Sequence, residues 1–267
     1  MPLAGEPQLA YSSEMPIRLC RLILWTILVL PVKLRAEDHL KYGQPTCTGP
    51  VLDKQYFVVC YDPSHKIPSW VGYELTTDEA KSKVTSRTGS FRADPELPRG
   101  GRPENADYSG SGYDKGHMAP ANDFSWNVDA MKATFILSNA VPQRHGLNGG
   151  RWAQLEAAVH GLAATQGAVW IFSGPVFAGA APIKTIGADK VAVPTHTYKV
   201  VLCVHPNGDM QAFGFVMPNI QKPSGSISSY TFSVDQVEKL TGLDFFSALP
   251  TTEQSRLEGT VTELPVN

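Results

Sequence analysis

Residues 113–122 read YDKGHMAPAN, and residues 138–156 read SNAVPQRHGLNGGRWAQLE. Together they put a histidine, a lysine, amides and carboxylates into one short region. His117 follows Gly116, and a glycine there lets the backbone turn sharply and present the imidazole at a strand or loop end. Asp114 and Lys115 set one negative and one positive group beside it. Asn148 stands just before Gly149-Gly150 and the start of a helix-forming segment. Glu156 lies about two helical turns further on, so both side chains are expected to face one cleft. A hard cation such as Mg²⁺ takes oxygen ligands and keeps several waters. One amide oxygen and a carboxylate acting through water would suit it. A neutral His117 would then take a proton from an attacking water while the cation polarises a phosphoryl oxygen. The same residues admit a structural reading, with Asp114 as partner of His117 and Asn148 capping the helix.

The chain of 267 residues is 42% hydrophobic and 18% charged, enough apolar content for a sizeable core and no signature of disorder. Its 23 Gly and 21 Pro predict a loop-rich fold rather than a plain helix bundle. A net charge of −2 excludes a chain that holds nucleic acid by bulk positive charge, though not a local basic cleft. Four cysteines without a CxxC pair argue against a zinc finger or a thioredoxin-like site.

Met15 to Ala36 begins with Arg18 and Arg21 and continues into an apolar run, Leu22 to Val32, too short to span a bilayer. Residues 1–36 are expected to be a signal peptide or N-terminal leader, cleaved near Ala36, with 37–267 as the functional domain. A short anchor or a buried helix is the other reading of that run. Residues 1–36 hold four basic and two acidic residues, so 19 Lys and Arg remain against 23 Asp and Glu, a net of −4. Export to the periplasm or the medium would allow a Cys47–Cys60 disulfide around a hairpin. Simple core cysteines are the alternative for both, and Cys203 reads as a buried free thiol.

Periodicity predicts strands over 56–61 and 70–75, joined at Asp62-Pro63-Ser64, and over 168–173, 197–204 and 211–216. Asn207-Gly208 marks a hairpin turn between the last two. Helices are expected over 130–137, 151–165 and 234–241, the last closed by Gly242. Trp152, Leu155, Val159 and Leu162 repeat along one face of the second. Residues 76–112 read as a long polar loop of the functional kind. No linker or repeat divides the chain.

Three pieces, Asp114-Lys115-Gly116-His117, Ser138-Asn139-Ala140-Val141-Pro142-Gln143, and Leu147-Asn148 through Trp152 to Leu155-Glu156, agree in order, spacing and type with one signature. The chain resembles the DNA/RNA non-specific endonucleases, the ββα-metal nuclease family. The likeness runs from about residue 47 to 250. It implies an α+β fold, a central antiparallel sheet flanked by helices. It implies further that His117 activates water and that Asn148 is the direct protein ligand of Mg²⁺, with Mn²⁺ as a substitute. Glu156 would hold metal-bound waters, Asn139 would fix the site's geometry, and Asp114 would support the motif backbone. DNA and RNA are the implied substrates, and 5′-phosphates and 3′-hydroxyls the implied products. A homodimer is left open, and no stable membrane association is expected once the leader is gone.

Two positions depart from the family pattern. Lys115 stands where an arginine is usual and lacks the bidentate fork. His160 stands one helical turn after Glu156, where an arginine is common, and a neutral imidazole carries no charge to replace it. Arg144, His145 and Arg151 lie nearby in sequence, and Lys199 matches a family lysine. Arg87, Arg92, Arg99 and Arg102 are expected to form a basic rim for phosphates or else a solvated loop. A binding module that has lost catalysis and a phosphodiesterase for small or lipid-linked substrates remain as rival readings.

Overall fold

Four strands of nine residues carry the structure: β3 (Ile67–Leu75), β6 (Ala168–Val176), β9 (His196–Val204) and β10 (Met210–Pro218). The computed structural model describes Met1 and residues 38–265, so the expected leader lies outside the described residues. With β1 (Val51–Asp53), β2 (Val58–Asp62) and β11 (Thr231–Phe232), they form one sheet in the order β1-β2-β3-β6-β9-β10-β11. Every neighbouring pair is antiparallel. Among the described residues, no helix is long and apolar enough to cross a membrane.

Both faces of this sheet are buried, which explains why its strands read as continuous apolar runs. Val71, Tyr73, Ile171, Val201 and Phe213 point to one core, and Trp70, Phe172, Val200, Leu202 and Ala212 to the other. The first core is covered by α4 (Ala153–Thr165), whose Trp152-Leu155-Val159-Leu162 face is buried as its spacing predicts. The second is covered by α5 (Val234–Thr241), α6 (Thr251–Glu258) and the Phe245-Phe246 pair. Ser233 and Gln236 close a capping box on α5, and Gly242 ends it at φ +71. The helix α6 has no counterpart in the sequence-based expectations.

Several expected boundaries move. The strand expected from residue 56 starts at Val58, because Gln55 takes φ +68 to close the β1–β2 turn. The expected loop 76–112 holds two short helices, α1 (Thr77–Lys81) and α2 (Asn105–Tyr108). The first is nucleated by a Thr76/Glu79 capping box. The helix expected over 130–137 is shorter, α3 (Val128–Ala133), and a separate 3₁₀ turn follows at Leu137–Asn139. Two minor pairs complete the chain: β7 (Thr185–Ile186) with β8 (Val191–Ala192), and β4 (Asp114–His117) with β5 (Ala140–Gln143).

Cys47 and Cys60 are joined in a disulfide with Cα atoms 5.7 Å apart, tying the segment before β1 to β2. Cys203 is free and buried. Closing a loop of this length constrains the unfolded chain by about 3 kcal/mol. Replacing both cysteines by serine should therefore lower denaturant-measured stability by about 2–4 kcal/mol. An unchanged unfolding midpoint would show that the bridge constrains nothing.

Candidate active site

The β4–β5 pairing puts Asp114 opposite Gln143 and His117 opposite Ala140. The two quoted sequence stretches thus become two strands of one ladder. Gly116 lies inside β4 and not at a turn, which corrects the expected reason for the glycine. A Cβ there would sit 2.0 Å from Oε1 of Gln143, whose side chain is fully buried across the ladder. The glycine is needed for space. It lets Gln143 pack down and donate to the Thr197 hydroxyl at 3.3 Å.

His117 ends β4 and is only 6% exposed. Its ring lies between Phe91, 4.5 Å away between centroids, and Phe135, 4.9 Å away and edge-on. Nε2 is buried without a hydrogen-bond partner. Burial in this aromatic slot, reinforced by the Arg87 guanidinium, pushes the imidazole down to about 3. At neutral pH the ring is uncharged and available as a proton acceptor.

Asn139 is fully buried and uses its whole carboxamide on the backbone that follows His117. Oδ1 accepts from the Ala119 amide at 2.9 Å, while Nδ2 donates to the Ala119 and Thr134 carbonyls, both at 2.9 Å. The Met118 amide also donates to the Asn139 carbonyl at 3.0 Å. Asn139 is thus a positioning residue, closed off from any substrate. The Trp152 indole adds a bond to the His117 carbonyl at 3.3 Å.

Asn148 does not lie at the start of a regular helix. Residues Leu147–Trp152 form a wide π-type turn with a kink at Gly150, and the α-helix begins only at Ala153. Within this turn Nδ2 of Asn148 donates to Oδ2 of Asp114 at 2.9 Å, and Nδ1 of His145 meets the same oxygen at 2.9 Å. A carboxylate only accepts, so this bond fixes which end of the Asn148 amide is nitrogen and leaves Oδ1 as the donor atom for a cation. Asp114 thus accepts from the Asn148 and His145 side chains, a contact that the resemblance did not imply.

Glu156, one turn into α4, has Oε1 buried without a partner. Beneath it lies Lys199 of β9, 1% exposed, donating to the Ser173 hydroxyl at 2.6 Å and lying 5.0 Å from the Trp152 ring. Burial pushes both groups toward neutrality, Glu156 up to about 8 and Lys199 below its ordinary value, while each charge supports the other. The residues fit a hard divalent cation. Asn148 offers an amide oxygen and Glu156, about two turns further along the chain, an under-satisfied carboxylate oxygen, the donor type that such an ion takes.

The remaining expected residues separate. Lys115 lies over the Tyr108 and Phe91 rings at 5.6 and 5.9 Å, on a cleft of about 330 Å³ also lined by Tyr113 and Asp114. Arg144 stacks 4.3 Å from the Tyr113 ring beside it. Of the four loop arginines, Arg87 acts on both His117 and Glu156 and stacks on Phe135 at 5.1 Å. Arg102 is spent on the Asp94 and Leu97 carbonyls and Glu104, and Arg92 reaches the Lys132 carbonyl. The basic rim thus shrinks at those two positions. His160 is paired with buried Asp123 at 2.8 Å, and Asp123 also accepts from the Tyr73 hydroxyl at 2.7 Å. Asp123 raises the His160 imidazole and neutralises its charge, so this residue does not replace an arginine at the cleft. The aromatic slot around His117 escaped sequence reasoning, because neither phenylalanine stands in a motif.

In the order β4, β5, then the π turn and α4, His117 ends the first strand, Asn148 lies in the turn and Glu156 in the first turn of the helix. The sequence pattern described as "DNA/RNA non-specific endonuclease" matches residues 35–252. The chain belongs to the DNA/RNA non-specific endonuclease family. It is 37% identical over 232 residues to nuclease C1 of Cunninghamella echinulata var. echinulata, covering 80% of this chain and 89% of that one. It is 33% identical over 214 residues to the mitochondrial endonuclease G of Homo sapiens, covering 77% and 72%. To the mitochondrial nuclease EXOG of Xenopus laevis it is 37% identical, spanning 64% of that protein. A crystal structure described as the EndoG/EndoGI complex superposes with a TM-score of 0.78 at 31% identity, covering 84% of this chain and 96% of that one. The α+β fold with its central antiparallel sheet is therefore that of the family, and the endonuclease is a hydrolase of phosphodiester bonds.

Replacing Asn139 by alanine removes three buried hydrogen bonds and should cost about 3 kcal/mol of stability at about 1 kcal/mol each. Because the bonds hold the chain after His117, kcat should fall with KM little changed. A variant as stable and as fast as the parent would show that the carboxamide positions nothing.

Proposed function

We propose that the chain is a Mg²⁺-dependent, sugar-non-specific endonuclease in which His117 is the general base. The observation that carries this reading is the buried, uncharged imidazole in the Phe91–Phe135 slot, at the end of the strand whose Asp114 holds the Asn148 side chain. Lys115 and Arg144, each stacked on an aromatic ring, receive the phosphates flanking the scissile bond, and Arg87 approaches from the loop side. These cations bind backbone rather than bases, which suits cleavage without regard to sequence or sugar. His117 takes a proton from water as the water oxygen attacks phosphorus in line. The P–O3′ bond breaks and the departing 3′ oxygen takes a proton from solvent water, leaving a 5′-phosphate and a 3′-hydroxyl. Asn148 Oδ1 would ligate the ion directly and Glu156 through water, with Asp114 holding the amide. A Mg²⁺ or Mn²⁺ bound there supplies Lewis-acid polarisation of the phosphoryl oxygen and charge for the departing oxyanion.

Plasmid DNA and a structured RNA should both be cut with Mg²⁺ and spared with EDTA. His117→Ala should lose at least 10²–10⁴-fold in kcat, the usual share of a general base, while still binding DNA. Because the imidazole is held at about 3, the neutral base persists as pH falls. The wild-type rate should therefore show no titration of an ordinary histidine near 6.5. Intact polymers with either metal would defeat the nuclease reading, and an undiminished His117→Ala rate would defeat the mechanism alone.

We also propose export to the periplasm or medium. The Cys47–Cys60 disulfide, which persists in oxidising compartments, and the basic-then-apolar segment before Ala36 support it. The N-terminal residue of the mature protein is the test, expected near residue 37; an intact 15–36 segment would overturn it.

A further inference from the structure

On the sheet face opposite the catalytic groups, α5 and α6 bring Asp235, Glu238 and Glu258 together. One carboxylate oxygen from each lies within 4.8 Å of the others. Asp235 and Glu238 are half-buried and one turn apart on α5, and Glu258 is the last residue of α6. Glu258 is only 5% exposed, and its Oε1 is buried with no hydrogen-bond donor. An ionised oxygen left bare in this way is costly, and native structures rarely tolerate it without a partner. The surrounding groups do not supply one. Glu238 has given one oxygen to the Phe245 amide at 2.8 Å, Asp244 adds a further negative charge, and Arg256 is turned to Glu253 at 2.7 Å.

We propose that Asp235, Glu238 and Glu258 form a second metal site, one that binds Ca²⁺ and pins the end of α6 to α5. The three oxygens, all within 4.8 Å of one another, are close enough to share one ion. Ca²⁺, with bonds of about 2.3–2.6 Å and no strict demand for octahedral order, suits carboxylates offered by two separate helices. Three carboxylates from two helices, completed by water, match its preference for hard oxygen ligands in flexible geometry. The site is remote from the catalytic groups, so its role is structural and independent of the nuclease reading.

The test uses full-length Asn148→Ala protein, which lacks the proposed direct ligand at the catalytic site. Thermal unfolding is followed in EDTA and in CaCl₂, with calorimetric titration of Ca²⁺. One ion should bind per chain, and at about 100-fold over Kd the midpoint should rise by about 6 °C. Adding Glu258→Gln should abolish both the binding and the shift. That variant alone should unfold no earlier than the parent in EDTA, because the amide relieves like-charge repulsion. Asp235→Asn, at a more exposed position than Glu258, should give the same loss of Ca²⁺ response should Glu258→Gln fail to fold. Absence of binding in Asn148→Ala protein, or a Ca²⁺ shift that survives both carboxylate substitutions, would overturn the site.

Discussion

A four-residue pairing, Asp114–His117 against Ala140–Gln143, holds the site together. It turns two separate motifs into adjacent rungs and carries the imidazole to the rung where the chain can pass between two phenylalanines. Gly116 is the price of that register, since only a residue without Cβ leaves room for the buried Gln143 side chain. From this ladder the backbone runs into Asn139's hydrogen bonds on one side and the wide Leu147–Trp152 turn on the other. The placements of His117 and Asn148 are thus both tied to this one ladder.

The site also illustrates how one environment can prepare different groups for different tasks. His117 is driven toward its neutral form by an apolar slot and a nearby guanidinium. Glu156 is buried with a bare oxygen above a lysine that has itself been dried out. Its carboxylate form is favoured by positive charge, from Lys199 within the protein and from any cation at Asn148. Asp123 keeps His160 paired and away from this arrangement, so the missing arginine is not replaced from α4 but approached from the loop by Arg87.

Much of this was legible in the sequence because the relevant information is local. The hairpin at Asn207-Gly208, the buried face of α4 and the spacing of His117, Asn148 and Glu156 all follow from residues close along the chain. What escaped depends on folding in space. Phe91 and Phe135 flank His117 only because the long loop pairs Arg92 with Ile136, far along the chain. The π-type turn at Asn148 looks like an ordinary helix start until Gly150 breaks the regular path. Arg102 reads as a surface cation, yet the structure spends it on two carbonyls and a glutamate. Gly116 was found for the wrong reason, since a glycine's freedom to turn and its lack of volume look alike in sequence.

The sheet ends on two very short strands, β1 with three residues and β11 with two, while the nine-residue strands all lie inside. An exposed long edge is a ready template for a neighbouring molecule's backbone. Here β11 covers only Gly214 and Phe215 of β10, and β1 covers only Val58–Cys60 of β2. β9, by contrast, is paired along all nine of its residues on both sides, so its backbone offers no template to a neighbour. Edge-to-edge growth would have to start from the outer sides of β10 or β2, not from the middle of the sheet.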